Sequence, residues 1–179
     1  MTTREVLIGS VAFGGGRAPA LIAGPCVIER ESLATEIAER LRDECATAGF
    51  PLVFKASYDK ANRSSVRSFR GPGARSGLEI LARIRERTGV PVISDVHTAG
   101  EAADAGTVLD ALQVPAFLCR QTDLLFAAAA TGRPVNVKKG QFLAPGDMKN
   151  VVEKIESAGN RSILLTERGT CFGYNNLVT

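Results

Sequence analysis

The apolar residues of the chain fall into short, nearly continuous runs that are separated by longer segments with helical periodicity. A short run without polar alternation is typical of a strand that is buried on both faces of a parallel sheet. We predict six such strands, at residues 20–23, 51–54, 90–94, 108–113, 134–137 and 162–165.

The segments between these runs carry apolar residues at every third or fourth position, which indicates amphipathic helices. In the first segment Leu33, Ile37 and Leu41 share one face, and Gly49 follows as a helix stop. We predict helices at residues 32–48, 77–87, 99–105, 122–130 and 145–157. Two apolar pieces around Gly9 further predict a small hairpin within residues 5–13, ahead of the main fold.

Alternation of strand and helix predicts an α/β fold, for which two layouts compete: a doubly wound open sheet and a (β/α)8 TIM barrel. A nucleotide-binding open sheet normally has a glycine fingerprint after its first strand. Here the first strand ends in Gly24-Pro25-Cys26, and the glycines at 71 and 73 follow no strand. We therefore favour a single TIM-barrel domain over residues 1–179, of which about six strand–helix units are present and the last lacks its helix.

Bulk composition changes this picture little and excludes some functions. With 45% hydrophobic residues and a net charge of +3, the chain is typical of a globular domain and lacks the concentrated charge of nucleic-acid binders. We see no secretion signal and no apolar run long enough for a membrane span, so we expect a cytoplasmic protein. The four cysteines are far apart and are expected to be free thiols.

Polar and charged residues recur where the predicted strands end. Because parallel strands share one rim, these side chains are expected around a single mouth, where barrel enzymes place their chemistry. Four cations at one mouth repel each other unless an anion lies between them, which predicts a small, multiply anionic ligand. Arg63, Ser64 and Arg120 on the loops could hold a second anionic group. The strand-end residues are Cys26, Lys55, Lys60, Asp95, Gln113, Lys138 and Arg168.

Several motifs of the chain occur together in a known enzyme family. They are G-P-C at 24–26, K-A-S at 55–57, K-A-N-R-S-S at 60–65, G-P-G at 71–73, S-D-V-H at 94–97, Q-V-P-A-F-L at 113–118, R-Q-T-D at 120–123, N-V-K-K at 136–139 and R-G at 168–169. From residue 20 to 178 the chain closely resembles 3-deoxy-D-manno-octulosonate 8-phosphate synthase. K-A-N-R-S-S is the most specific motif, because the sister enzyme that makes heptulosonate phosphate typically has K-P-R-T-S there.

The resemblance implies a transferase of lipopolysaccharide biosynthesis in the cytoplasm, assembled as a homotetramer. Its reaction is an aldol-type condensation of phosphoenolpyruvate with D-arabinose 5-phosphate and water, which gives 3-deoxy-D-manno-octulosonate 8-phosphate and phosphate. Two phosphorylated substrates agree with the two anionic subsites that the strand ends predict.

The resemblance also implies roles for individual residues. Lys138, Arg168 and the backbone near Ala116 would hold the phosphate of phosphoenolpyruvate, and Lys55 and Lys60 its carboxylate. The residues implied as catalytic are Lys60, Asn62, Asp95 and Lys138. The residues implied as substrate-binding are Lys55, Ser57, Lys60, Asn62, Arg63, Ser64, Gln113, Ala116, Arg120, Lys138, Gln141 and Arg168.

Within that set, Asn62, Arg63 and Ser64 would bind the sugar phosphate, and Asp95 would lie beside the aldehyde. Arg120 is expected to reach the sugar phosphate of a neighbouring subunit.

Cys26 is implied as a metal ligand, because metal-independent members of the family usually have asparagine there. A thiolate with histidine and carboxylates suits a divalent ion such as Zn, Fe or Mn. The family barrel has eight strands, so we expect the remaining ligands in a part that this sequence lacks. The single histidine, His97, is interpreted as a packing or supporting residue.

Other functions remain open from the residues alone. The chain could be a related phosphoenolpyruvate-dependent synthase of the heptulosonate phosphate or sialic acid type. It could be a Schiff-base aldolase with Lys55 or Lys138 as the nucleophile. With six strands of eight, it could also be a non-catalytic fragment that binds phosphosugars.

Overall fold

The computed structural model describes residues 3–171, 173 and 177–178, and its centre is a six-stranded parallel sheet. The strands are β3 (Leu21–Ala23), β4 (Leu52–Lys55), β5 (Val92–Asp95), β6 (Ala111–Val114), β7 (Val135–Lys138) and β8 (Ile163–Thr166), following the hairpin strands β1 (Val6–Ile8) and β2 (Val11–Phe13). Their order in the sheet equals their order in the chain. A doubly wound sheet would reverse direction at a switch point, so this order confirms the prediction of a partial TIM barrel.

Five helices connect the strands and pack against their neighbours in chain order. They are α1 (Glu31–Ala48), α2 (Ala74–Thr88), α3 (Ala99–Val108), α4 (Thr122–Ala130) and α5 (Met148–Ser157). Short 3-10 turns at Ala116–Leu118 and Pro145–Asp147 follow β6 and precede α5. No helix in the described part of the chain is long and apolar enough to cross a bilayer.

Successive strand residues belong to two different cores, because side chains alternate across a sheet. Leu52, Phe54 and Val92 belong to the large core that also takes in the buried faces of the helices. Val53 and Ile93 belong to a smaller cluster with Ile8 and Val11 of the antiparallel β1–β2 hairpin. The hairpin thus fills one end of the barrel interior with apolar side chains.

Several predicted boundaries differ from those in the structure. Residues 108–110 are not part of β6: α3 runs through Val108, and the amide of Leu109 still bonds the carbonyl of Ala105 at 2.8 Å. The predicted helix at 145–157 is divided into a 3-10 turn and α5. Near the end of the chain, where no periodicity is visible, β9 (Thr170–Cys171) pairs with β10 (Leu177–Val178). The error at 108–110 arises because a short apolar run fits a helix and a strand equally well.

Candidate functional site

A cavity of about 730 Å³ opens where the sheet strands end. Eleven of the residues predicted for the site line it. The lining residues are Cys26, Lys55, Lys60, Ala61, Asn62, Arg63, Ser64, Asp95, His97, Pro115, Ala116, Phe117, Leu118, Lys138, Gln141 and Arg168.

The strand register places polar side chains at this end of the barrel. Lys55 lies two residues after the interior residue Val53, and Asp95 lies two residues after Ile93, so both share the interior face. The tight approach of β3 to β4 requires a glycine at 24, where φ is +152° and a Cβ would lie 2.0 Å from the carbonyl oxygen of Lys55.

A buried carboxylate lies among three lysines. One oxygen of Asp95 is 3.3 Å from the ammonium of Lys55 and 3.6 Å from that of Lys60, and the other is 3.5 Å from that of Lys138. The Asp95 side chain is 4% exposed, and the hydroxyl of Ser57 also donates to it. The cations predicted at the mouth are therefore partly neutralised by a carboxylate of the chain itself.

Burial and neighbouring charges shift the ionisation of this cluster. Burial alone would raise the pKa of Asp95, but the attraction of Lys55 and Lys138 and the hydrogen bond from Ser57 hold it far below its ordinary value. Burial lowers the pKa of Lys55 to about 8, helped by repulsion from Lys60 and Lys138 and opposed by Asp95. Asp95 is therefore ionised at neutral pH, and Lys55 is mostly protonated.

A series of side-chain hydrogen bonds inside the barrel ends at Asp95 and holds its carboxylate in place. The amide of Gln113 donates to Asp95 at 2.7 Å, the amide of Asn136 donates to Gln113 at 2.9 Å, and the hydroxyl of Thr166 donates to Asn136 at 2.9 Å. Asp95, Gln113, Asn136 and Thr166 come from four adjacent strands, so this hydrogen-bond network connects the ends of β5, β6, β7 and β8. Ser57 and Gln113 thus lie beneath the cavity wall and contact Asp95 directly.

The loop at 60–65 forms an exposed wall of the cavity. Lys60 is anchored, because its amide donates to the carbonyl of Arg70 at 2.7 Å. The side chains of Asn62, Arg63 and Ser64 are exposed, and the guanidinium of Arg63 donates to the carbonyl of Phe69 at 3.1 Å. This wall therefore presents amide, guanidinium and hydroxyl donors beside the lysines.

Arg168 and Gln141 form another part of the lining, on the loops after β8 and β7. Arg120 differs from Ser57 and Gln113, the other two predicted residues outside the cavity lining, because it does not contact Asp95. Its side chain is exposed and does not line the cavity, and its carbonyl accepts a hydrogen bond from Lys154 at 3.1 Å.

His97, which was interpreted from the sequence as a packing or supporting residue, also lines the cavity. Its ring meets Tyr58 edge to face, with ring centroids 5.9 Å apart, and its backbone amide donates to Glu101 at 3.0 Å. Tyr58 donates to the same carboxylate at 3.0 Å, and burial raises the pKa of this phenol.

Two buried features were not predicted from the sequence. Asn136 belongs to the hydrogen-bond network that ends at Asp95. Lys139 is 2% exposed beneath the loops that carry Gln141 and Arg168. The signal for Lys139 lay in the pair Lys138-Lys139. Consecutive residues at a strand end face opposite sides, so two adjacent lysines there indicate two different environments.

Metal ligands are incomplete in the part of the chain that the structure describes. Cys26 is exposed and lines the cavity. Across residues 3–171, 173 and 177–178, no three histidine, cysteine, aspartate or glutamate side chains are grouped closely enough to hold a metal ion. The described residues therefore do not form a metal site on their own.

These features define a parallel α/β barrel protein with a cationic cavity at the carboxyl ends of its strands. The model of the DAHP synthetase I family matches residues 2–179, and the chain belongs to that family.

Similar proteins cover almost all of this chain. A protein named 2-dehydro-3-deoxyphosphooctonate aldolase from Geobacter sp. (strain M21) is 64% identical over 176 residues, which are 98% of this chain and 64% of that protein. Proteins of the same name from Trichlorobacter lovleyi and Geobacter sulfurreducens are 61% and 60% identical, over 98% and 99% of this chain and 65% of each relative. The chain thus spans slightly less than two thirds of the length of these relatives.

Proposed function

We propose that the protein carrying this chain condenses phosphoenolpyruvate with D-arabinose 5-phosphate and water, releasing 3-deoxy-D-manno-octulosonate 8-phosphate and phosphate. The observation that carries the proposal is the cavity in which Lys55, Lys60 and Lys138 surround Asp95 beside the K-A-N-R-S-S loop. The names of the relatives support the same reaction, which belongs to lipopolysaccharide biosynthesis.

Phosphoenolpyruvate would bind in the lysine-rich part of the cavity. Lys55 and Lys60 both approach one oxygen of Asp95, so they are close enough together to hold one carboxylate. Lys138 approaches the other oxygen and would hold the phosphate with Arg168 and the backbone near Ala116. Charge-assisted hydrogen bonds from ammonium and guanidinium groups suit both anionic groups.

The sugar phosphate would bind at the exposed wall. Asn62, Arg63 and Ser64 offer donors at the cavity edge, which leaves the aldehyde end to point inward toward Asp95. Asp95 is ionised throughout the physiological range, so it would act by accepting a hydrogen bond and by electrostatics rather than by carrying a proton.

The chemical contribution of these residues would be positioning and charge stabilisation. The bond between C3 of phosphoenolpyruvate and the aldehyde carbon forms while the carbonyl oxygen gains negative charge, and water adds at C2 before phosphate leaves. Fixed cations that already surround the reacting groups stabilise such charge without reorganising. Lys60 and Lys138 are the cations proposed to do so.

The test is phosphate release by the full-length protein with each substrate alone and with both. Release that requires both phosphoenolpyruvate and arabinose 5-phosphate supports the proposal. The family description favours a second candidate, in which erythrose 4-phosphate is the acceptor. Turnover of erythrose 4-phosphate without turnover of arabinose 5-phosphate would establish that alternative instead.

The division of the site is tested with Arg63→Ala. We expect the KM for arabinose 5-phosphate to rise much more than the KM for phosphoenolpyruvate, because Arg63 lies on the sugar-phosphate wall. Arg67→Ala is the matched control, since Arg67 is exposed on the same loop and outside the cavity lining. Equal effects of Arg63→Ala on both substrates would contradict the division.

Three further properties belong to this proposal: a divalent metal held in part by Cys26, a homotetramer, and a cytoplasmic location. The other metal ligands would have to come from residues outside the described part of the chain. Bound metal, measured per subunit by mass spectrometry, should fall in Cys26→Ser and stay unchanged in the control Cys171→Ser. Equal metal content in both variants would reject Cys26 as a ligand.

Subunit association is proposed to bring Arg120 to the sugar phosphate of a neighbouring subunit. Light scattering should give the mass of a tetramer, and Arg120→Ala should raise the KM for arabinose 5-phosphate. A fully active monomer would contradict this role. Cell fractionation tests the cytoplasmic location, which recovery of the protein in the membrane fraction would contradict.

A further inference from the structure

Lys139 is a buried cation that the proposed chemistry does not use. It directly follows Lys138, the last residue of β7, and its 2% exposure contrasts with the 22% of the Lys138 side chain, which lines the cavity. Burying an ammonium is costly unless its hydrogen-bond donors and its charge are matched. The groups that match the donors and the charge of Lys139 therefore identify the segments that this side chain connects.

The ammonium of Lys139 bonds three backbone carbonyls. It donates to Gly140 at 3.2 Å, Leu143 at 3.1 Å and Gly169 at 2.6 Å, which uses all three of its hydrogens. Its charge is matched by Glu167, whose carboxylate lies 3.3 Å away. One buried side chain thus ties the loop after β7 to the loop after β8.

Glu167 completes the connection to the cavity. The same carboxylate oxygen accepts hydrogen bonds from the backbone amides of Arg168 at 2.8 Å and Gly169 at 2.6 Å. On the other loop, the side-chain amide of Gln141 donates to the carbonyl of Arg168 at 3.5 Å, and the backbone carbonyl of Gln141 accepts from the amide of Cys171 at 2.9 Å. Both Arg168 and Gln141 line the cavity, so the backbone that carries them is held by the Lys139–Glu167 pair.

We propose that Lys139 and Glu167 form a positioning pair that fixes Arg168 and Gln141 at the cavity and thereby sets the affinity for the phosphate of phosphoenolpyruvate. This inference rests on the proposed function of the site. Neither residue of the pair is among the cavity-lining residues, so the pair acts through the backbone of Arg168.

The first test is Glu167→Gln in the full-length protein, a substitution that keeps the size of an exposed side chain and removes its charge. We expect the KM and the calorimetric Kd for phosphoenolpyruvate to rise about tenfold, since small displacements of a binding group are costly. The KM for arabinose 5-phosphate should stay within about twofold. Lys139→Met should act in the same direction, and Lys149→Met, an exposed lysine of α5, is the matched control.

A double-mutant cycle separates positioning from general destabilisation. In an Arg168→Ala background, Glu167→Gln should have no further effect on phosphoenolpyruvate affinity, because Arg168, the phosphate-binding group that the pair positions, is gone. Additive losses, or equal rises in the KM of both substrates, would overturn the inference.

A substrate-free measurement keeps the inference distinct from the proposed function. Hydrogen–deuterium exchange of residues 166–171 should become faster in Glu167→Gln while the hairpin at 6–13 is unchanged. Unchanged exchange at 166–171 would overturn the positioning pair whatever the kinetics show. If Arg168→Ala leaves phosphoenolpyruvate affinity unchanged, Arg168 does not bind the phosphate. The exchange rate at residues 166–171 then tests by itself whether Lys139 and Glu167 hold this loop.

Discussion

Replacing Asp95 by asparagine removes the carboxylate charge that Lys55, Lys60 and Lys138 share. The substitution keeps the size of the side chain, and the remaining carbonyl oxygen can still accept from Gln113. The three lysine side chains are only 13%, 15% and 22% exposed, so water replaces the lost charge poorly. The variant therefore isolates the electrostatic contribution of Asp95 from its packing.

The expected cost follows from the geometry. A charge pair about 3.5 Å apart is worth roughly 5 kcal/mol at an effective dielectric constant of about 20, before desolvation is subtracted. Breaking a buried pair by removing one partner costs about 3–5 kcal/mol. The ammonium groups of Lys60 and Lys138 can turn toward the cavity, so we expect the lower value, about 3 kcal/mol at pH 7.

The assay is urea unfolding of the full-length protein as a function of pH. Because the folded pKa of Asp95 lies below its unfolded value of about 3.9, its contribution is complete above that pH and is lost as pH falls through the folded pKa. The difference in free energy of unfolding between wild type and Asp95→Asn should be constant from about pH 5 to 7 and should shrink below about pH 4.

Asp59→Asn is the control, because Asp59 pairs with a single arginine, Arg70, whose side chain is 59% exposed, and its loss should cost less than about 1 kcal/mol. Asp95→Asn should also bind inorganic phosphate more tightly than wild type, since an added anion can take the place of the lost charge. A loss below about 1 kcal/mol at pH 7, or a loss that does not shrink in acid, would refute the shared-carboxylate interpretation.

Three other predictions concern the site and its support. Phosphoenolpyruvate affinity, measured by calorimetry, should weaken as pH rises through about 8, where Lys55 loses its proton. Lys55→Arg should abolish this pH dependence, and its persistence in the variant would show that another group is responsible. Asn136→Leu should lower the free energy of unfolding by about 2 kcal/mol, because Gln113 and Thr166 lose buried partners, and a neutral effect would contradict the network. Gly77→Ala should lower the free energy of unfolding in urea by about 1–3 kcal/mol, because the new Cβ would lie 2.2 Å from that of Tyr58. Gly100→Ala is the control, because its new Cβ enters open space, and equal stabilities of the two variants would contradict the close packing of α2.

Much of the candidate site was visible in the sequence because barrel chemistry gathers at strand ends. Lys55, Asp95 and Lys138 each end a strand, so their common location required only that the strands be parallel and adjacent. Ser57 and Gln113 were predicted as substrate-binding, and the structure adds that both contact Asp95 directly. Their assignment as substrate ligands stays a prediction.

Local periodicity determined the number and order of the six strands of the parallel sheet and of the helices between them, because burial of each of these segments depends mainly on its own pattern. It could not show that Asp95 is the shared counter-ion of three lysines. That arrangement depends on register and on distances between groups far apart in the chain. The opposite environments of the neighbours Lys138 and Lys139 were likewise decided by tertiary structure. The cavity surrounds one ammonium, and the carbonyls of two loops surround the other.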